Sequence, residues 1–207
     1  MTEDTQPNAD PAVSAAVLVP VKSFAEAKVR LTPALGPDQR ADLARRMGDI
    51  VLAAATPLPV AVVCDDPGVA AWAEGRGARV VWTPRRGLNP AVADGVATLA
   101  EAGFERVIVA HADLPLAIGF AHLLDADPEV VLVPDRRQDG TNVLVVPSEA
   151  GFEFRYGAGS FGRHRAEAQR LGLGAAVVDD ERLAWDLDNP PDLDLPRSLA
   201  PADGLGL

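Results

Sequence analysis

A chain of 207 residues has the length for one domain with a full hydrophobic core. Its formal charge of −11 argues against a general binder of nucleic acid or of an anionic membrane. An anionic ligand would have to be met by a local basic cluster together with a divalent metal. The single cysteine, Cys64, excludes an internal disulfide and a cysteine metal site. No apolar run has the length of a membrane span, and the polar, acidic start carries no export signal, so the expected compartment is the cytoplasm.

Residues 1–13 read as a disordered leader and 196–207 as a flexible tail, which leaves 14–195 as a single domain. Ala15–Val19 is a continuous apolar run, as expected of a strand buried on both faces. The only two lysines among 19 basic residues, Lys22 and Lys28, follow it directly. A compact, strongly hydrated ammonium is not equivalent to a guanidinium fork. The end of a first strand is also where an open α/β sheet binds ligands. Residues 38–55 carry Leu43, Met47, Ile50, Val51 and Ala54 at helical spacing. Val60–Cys64 reads as a strand, 69–74 as a short helix and Arg79–Trp82 as a strand. A helix over 90–102 follows, with Asn89 as its cap and Pro90 at its first position. Strands are expected at 106–110 and 130–133. The Asp139-Gly140 turn signal introduces 143–146 as a hairpin-like or edge strand. Residues 160–171 read as a helix, 175–178 as the last strand and 185–188 as extended. This alternation predicts a three-layer α/β sandwich with a mostly parallel sheet.

Several segments could carry chemistry, and each also has a plain structural reading. Asp113, in His111-Ala-Asp113-Leu-Pro, stands at the end of a central strand, where a carboxylate can hold Mg²⁺ facing a phosphate; the same residues also suit an ordinary turn. Asp186 and Asp188 would share one face of an extended segment and could grip metal, or Asp188 or Asn189 could merely cap a helix at Pro190. The loops Asp139-Gly-Thr141-Asn142 and Tyr156-Gly157-Ala-Gly159-Ser160 are small and hydroxyl-bearing. The second leads into a helix with Ser160 as a natural N-cap, a setting that suits an anion or a plain glycine turn equally. Asn89 could read a base or ribose, or only cap. The three histidines, His111, His122 and His164, lack metal-ligand spacing, and no Ser-His-Asp or Cys-His arrangement points to covalent catalysis.

The start Val-Pro-Val-Lys22 with Lys28 and Arg30-Leu31, the Asp113-Leu-Pro triplet, Gly140-Thr141-Asn142, Tyr156-Gly157 with Ser160, and Asp186-x-Asp188-x-Pro together resemble the guanylyltransferases of coenzyme F-420 biosynthesis. These activate phosphoenolpyruvate or 2-phospho-L-lactate with GTP. The resemblance runs from Ala15 to Leu193, with His111 standing where a smaller residue is expected. It implies a nucleotidyltransferase fold related to glycosyltransferase type A domains. It also implies that Lys22, Lys28 and Arg30 face the GTP phosphates and that Asp113, Asp186 and Asp188 hold two Mg²⁺. Thr141, Gly157 and Ser160 would then hold the phosphoenolpyruvate, with Asn89 on the nucleotide side and Lys22, Lys28 and Asp113 at the reacting centre. A phosphate monoester is already largely a dianion at neutral pH, so such a reaction needs no general base. Molybdopterin guanylyltransferases and sugar-phosphate cytidylyltransferases share the fold but have a glycine-rich first loop, whereas residues 19–31 contain no glycine. A glycosyltransferase would place an Asp-x-Asp after a central strand, where this chain has Asp113 alone. A non-catalytic nucleotide-binding module would not need three acidic positions. Between the two acceptors, phosphoenolpyruvate is favoured; a homodimer is left open.

Overall fold

The computed structural model describes residues 14–85 and 87–194. The leader and tail expected from the sequence lie outside the described residues. The elements in chain order are β1 (Ala15–Pro20), α1 (Pro37–Ala54), β2 (Val60–Cys64), α2 (Pro67–Gly75), β3 (Arg79–Trp82), α3 (Leu88–Glu101), β4 (Arg106–Ala110), β5 (Val130–Pro134), β6 (Thr141–Pro147), α4 (Ser160–Arg170) and β7 (Ala175–Val177). Short 3-10 turns lie at Phe24–Glu26, Val29–Leu31, Ala121–Asp125 and Pro190–Leu193.

The strands form one sheet in the order β3-β2-β1-β4-β6-β5-β7. The β1–β2, β1–β4, β2–β3 and β5–β7 pairs are parallel, while β6 runs antiparallel to both β4 and β5. The hairpin expected after Asp139-Gly140 is therefore present, but its second strand is interior and not an edge. Its burial explains this: Thr141 through Val146 are all buried, which an edge strand with one wet face would not allow.

Successive strand residues point to opposite faces, and each face receives its own helices. Val17, Val19 and Ile108 pack with Val51 and Leu52 of α1 and Val69 and Ala73 of α2. Ala16, Leu18 and Val107 pack with Val92, Val96 and Leu99 of α3 and Ala168 of α4. The result is the expected three layers. Gly95 lets α3 press on β1, because a Cβ there would meet Leu18 Cδ2 at 2.5 Å. α2 begins with Pro67 at its first position and Asp66 as cap, whose Oδ1 accepts the Val69 amide at 2.9 Å, a bond worth about 1 kcal/mol. No helix among the described residues is long and apolar enough to cross a membrane.

The chain leaves β1 toward β2 on one side and later returns to β4 on the other. The carboxyl ends of β1 and β4 thus flank a topological switch point, where ligands bind in open α/β sheets. The loop carrying Lys22 and Lys28 follows the first of these strands and Asp113 follows the second.

Candidate active site

Three distant segments meet at the switch point. Lys28 Nζ donates to Asp113 Oδ2 at 2.6 Å and to Asp188 Oδ1 at 3.0 Å, and Arg30 Nη1 donates to Asp188 Oδ2 at 3.2 Å. Lys28 adopts the left-handed backbone conformation, φ 53° and ψ 39°, which a lysine enters only at a cost of roughly 1–2 kcal/mol. The bend aims its ammonium at the two acids. The Leu187 amide donates to the Asp113 carbonyl at 3.1 Å, which lays the 185–188 segment along the Asp113 loop. That segment belongs to no strand or helix.

The charges at this point are strongly coupled. Burial lowers the affinity of Lys28 for its proton, but Asp113 and Asp188 outweigh burial and hold its pKa above the ordinary value. Burial likewise pushes Asp113 up, and Lys28 outweighs it, so this carboxyl sits below the usual range. Asp186 has no such partner. Burial first, then the charges of Asp113 and Asp188, push its carboxyl up to about 6.

The three carboxylates expected to hold metal are thus brought to the same corner of the sheet. Among the described residues, however, no three His, Cys, Asp or Glu side chains stand close enough to hold a metal ion as they are. The Lys28 ammonium lies between Asp113 and Asp188, because partly buried acids need a counter-charge and this is the nearest compact one. Lys28, expected from the sequence to face the GTP phosphates, is paired here with these two acids. Arg30 is likewise engaged by Asp188. Asp113 Oδ1 and Asp186 Oδ1 are buried without a hydrogen-bond partner. Unsatisfied carboxylate oxygens of this kind suit a hard divalent cation, so the donor set fits Mg²⁺ provided the ammonium gives way.

Two cavities open beside this corner. One, of about 400 Å³, is lined by Lys22, Ser23, Asp65, Thr83, Arg85 and Leu88 among others, at the ends of β1, β2 and β3. The other, of about 220 Å³, is lined by Lys22, Lys28, Met47, His111 and Asp113. Lys22 belongs to both and is exposed. Asn89 does not cap α3, since Gly87, at φ 104°, holds the cap position. Its amide is turned to Tyr156, accepting that residue's N–H at 2.6 Å and donating to its carbonyl at 3.4 Å. Both ends of the side chain are therefore occupied by backbone.

The acceptor residues expected from the sequence also converge, on the far side of an aromatic row. His111 lies 5.0 Å from Tyr156, and Tyr156 lies 4.7 Å from His164, between ring centroids. Arg155 N–H donates to His164 Nε2 at 3.1 Å, so the ring proton is on Nδ1, which donates to Thr141 Oγ1 at 3.0 Å. Ser160 Oγ stands 3.5 Å from the same oxygen. Thr141 and Ser160 are 1% and 2% exposed, so both hydroxyls lie beneath the Gly157–Gly159 loop. Ser160 is the first residue of α4 and not its cap. Gly159 takes the cap position, and Asp139 accepts the Gly159 amide at Oδ2 and the Phe161 amide at its carbonyl, each at 3.0 Å. The start of this helix therefore already carries a carboxylate.

The sequence shows Tyr156 and Asp139 within their loops, Asp192 near the acidic pair and His164 as a lone histidine, but assigns none of the four a role of its own in the site. His164 had a signal, since it falls four residues after Ser160 and shares its helix face. His122, by contrast, is a surface residue 3.5 Å from Asp180. His111 lines the smaller cavity, with its Nε2 buried and unpartnered.

With this geometry in hand, the chain can be compared with known proteins. It is 35% identical over 192 residues to a phosphoenolpyruvate guanylyltransferase of Sphaerobacter thermophilus, an alignment covering 89% of this chain and 93% of that one. It is 36% identical over 187 residues to the protein of the same name in Chloroflexus aggregans, covering 84% and 92%. A 3-phospho-D-glycerate guanylyltransferase of Phenylobacterium zucineum is 38% identical over 122 residues, covering 56% of each chain. Among solved structures, one described as a nucleotide-diphospho-sugar transferase from Desulfovibrio desulfuricans superposes with a TM-score of 0.68 at 16% identity, covering 84% of this chain and 82% of the other. That likeness speaks to the nucleotidyltransferase-type fold alone. The family model described as guanylyl transferase, CofC like, matches residues 15–195, nearly the whole described domain, and the chain belongs to that family.

Proposed function

We propose that this protein transfers GMP from GTP to the phosphate of phosphoenolpyruvate, forming enolpyruvoyl-2-diphospho-5'-guanosine and pyrophosphate, as a cytoplasmic enzyme of coenzyme F-420 biosynthesis. The observation that carries the reading is the Lys28 ammonium held between Asp113 and Asp188 at the switch point, beside a cavity of about 400 Å³. Its volume falls in the range of ligand pockets.

An oxygen of the acceptor phosphate attacks the α-phosphorus of GTP, the bond from that phosphorus to the β-phosphate oxygen breaks, and pyrophosphate leaves. The obstacle is charge, because two polyanions must approach. Lys22, exposed and shared by both cavities, meets the triphosphate. Lys28 and Arg30 exchange their carboxylate partners for phosphate oxygens. Asp113, Asp186 and Asp188 hold Mg²⁺, which when bound neutralises phosphate charge and stabilises the departing pyrophosphate. Thr141, Gly157 and Ser160 receive the acceptor. No side chain need remove a proton, since the attacking phosphate is largely ionised at neutral pH.

The test is incubation of the purified protein with GTP, Mg²⁺ and, separately, phosphoenolpyruvate, 2-phospho-L-lactate and 3-phosphoglycerate, with products identified by mass. The expected result is a GMP adduct chiefly with phosphoenolpyruvate, and at least a tenfold slower reaction in a folded Lys28→Ala variant. An adduct chiefly with another acceptor would reassign the substrate. No adduct with any would overturn the reading.

A further inference from the structure

The acidic segment that carries Asp186 and Asp188 is anchored by a residue that bonds to its backbone and to none of the three site carboxylates. Asp192 is completely buried. Its Oδ2 accepts the Asp188 amide at 2.9 Å and the Asn189 amide at 2.7 Å. Its Oδ1 pairs with the Arg136 guanidinium and, at 3.4 Å, with Arg137. Arg136 in turn donates Nη1 to the Asp186 carbonyl at 3.3 Å and lies over the Trp185 ring at 4.1 Å. Trp185 Nε1 closes the loop on the Asp192 carbonyl at 3.2 Å. The backbone on both sides of Leu187 is therefore held from one ion pair whose acid is fully buried and whose arginine is partly exposed.

The two arginines lie in the turn between β5 and β6, and the same turn reaches the other end of the site. Asp135 Oδ1 accepts the amides of Arg137 and Asp139 at 3.0 and 2.9 Å, which fixes the turn internally. Asp139 then holds the Gly159 amide at 3.0 Å. One turn thus grips the acidic segment with its arginines and the glycine loop with its aspartate. A buried ion pair adds little net stability compared with apolar packing, so stabilising the fold is a weak explanation for it. Fixing an irregular segment that runs into Pro190-Pro191 to within a fraction of an ångström is a use that apolar packing serves less well.

We propose that Asp192, gripped by Arg136, is a positioning residue that sets the Asp186 and Asp188 carboxylates against Asp113, and that the β5–β6 turn holds the metal end and the acceptor end of the site in fixed relation. This rests on the assignment of Asp113, Asp186 and Asp188 as metal ligands. Mn²⁺ binding to the whole protein, followed by the free-ion electron paramagnetic resonance signal with a non-hydrolysable GTP analogue present to draw Lys28 off the acids, and corrected for Mn²⁺ held by the analogue alone, reads the positioning without turnover. Asp192→Asn should weaken Mn²⁺ binding about tenfold or more, as removal of groups supporting metal ligands does. Arg136→Gln, which leaves both amide bonds to Asp192 in place, should weaken it about threefold, a smaller share of the same effect. Asp139→Ala should leave Mn²⁺ affinity unchanged and raise only the acceptor KM. Thermal melting of each variant separates misplacement from unfolding; if Asp192→Asn does not fold, Arg136→Gln decides. Wild-type Mn²⁺ affinity in the folded variants, with the native protein binding the ion, overturns the positioning role alone. A native protein that binds no Mn²⁺ overturns the metal assignment and this inference with it.

Discussion

The two ends of the site solve the same problem, a polar group removed from water, by opposite means. At Lys28, Asp113 and Asp188 the groups are charged and paired with one another. At Thr141, Ser160 and His164 they are neutral, buried and linked by hydrogen bonds into the fold. A charged cluster can trade partners when a polyanion arrives, since one ion pair replaces another. A neutral buried network has no such freedom, because each broken bond leaves an orphan costing about 1–3 kcal/mol. The first end is therefore suited to chemistry and the second to recognition and stability.

The contrast can be pressed hardest at Asp113. Replacing it with Asn keeps the shape but removes the charge that Lys28 faces and that a metal would need. The expected loss of kcat, measured by pyrophosphate release, is about 10²–10³-fold, with the fold retained. A loss below tenfold would show that the charged end is not where the chemistry happens.

At the neutral end the expected effect is on stability. Burial, then the positive charges of His111 and Arg163, hold the His164 imidazole to about 4 from an ordinary 6.5, with Glu167 opposing. Between these values the unfolded chain binds more protons than the folded one. Stability is then full above pH 6.5 and falls as the pH drops toward 4, by about 3 kcal/mol at most. Urea unfolding across this range should show the slope in the native protein and a shallower one in His164→Gln. Identical slopes would remove His164 as the cause.

The smallest effect should separate the two ends within one assay. Ser160→Ala should raise the acceptor KM about tenfold or somewhat more and leave the GTP KM nearly unchanged, as expected for one hydrogen bond to a charged group. If the GTP constant moves instead, the hydroxyls belong to the nucleotide and the two ends have been assigned the wrong way round.

Much of this was legible along the chain, and the reason differs by element. β1 and β4 announce themselves as apolar runs because strands covered on both faces must be apolar throughout. Residues 38–55 show helical spacing because α1 buries one stripe. The lysine loop and Asp113 were placed correctly because the end of a parallel strand is a ligand edge whatever the neighbouring strands are. β6 was harder. Its short apolar run reads the same along the chain at an edge or in the interior, and only the burial of both its faces and its pairing with β4 and β5 distinguish them. The caps at Asn89 and Ser160 were misread for a related reason. Each side chain has the right chemistry for a cap but finds a better partner far away, Asn89 in the Tyr156 backbone and Ser160 beside Thr141.

What the sequence by itself determined is therefore whatever depends on local burial and local charge: the alternation of strands and helices, the net negative charge, and the presence of lysines and carboxylates in loops after strands. Only the tertiary structure decided which cation answers which acid, that Asp192 and Arg136 hold the acidic segment, and that two hydroxyls expected to face a ligand lie buried beside a histidine. Periodicity records how each residue meets water, a property of its own neighbourhood. Counter-charge and hydrogen-bond satisfaction belong to pairs that folding brings together across more than a hundred residues, as with Lys28 and Asp188, 160 positions apart, and no local pattern encodes them.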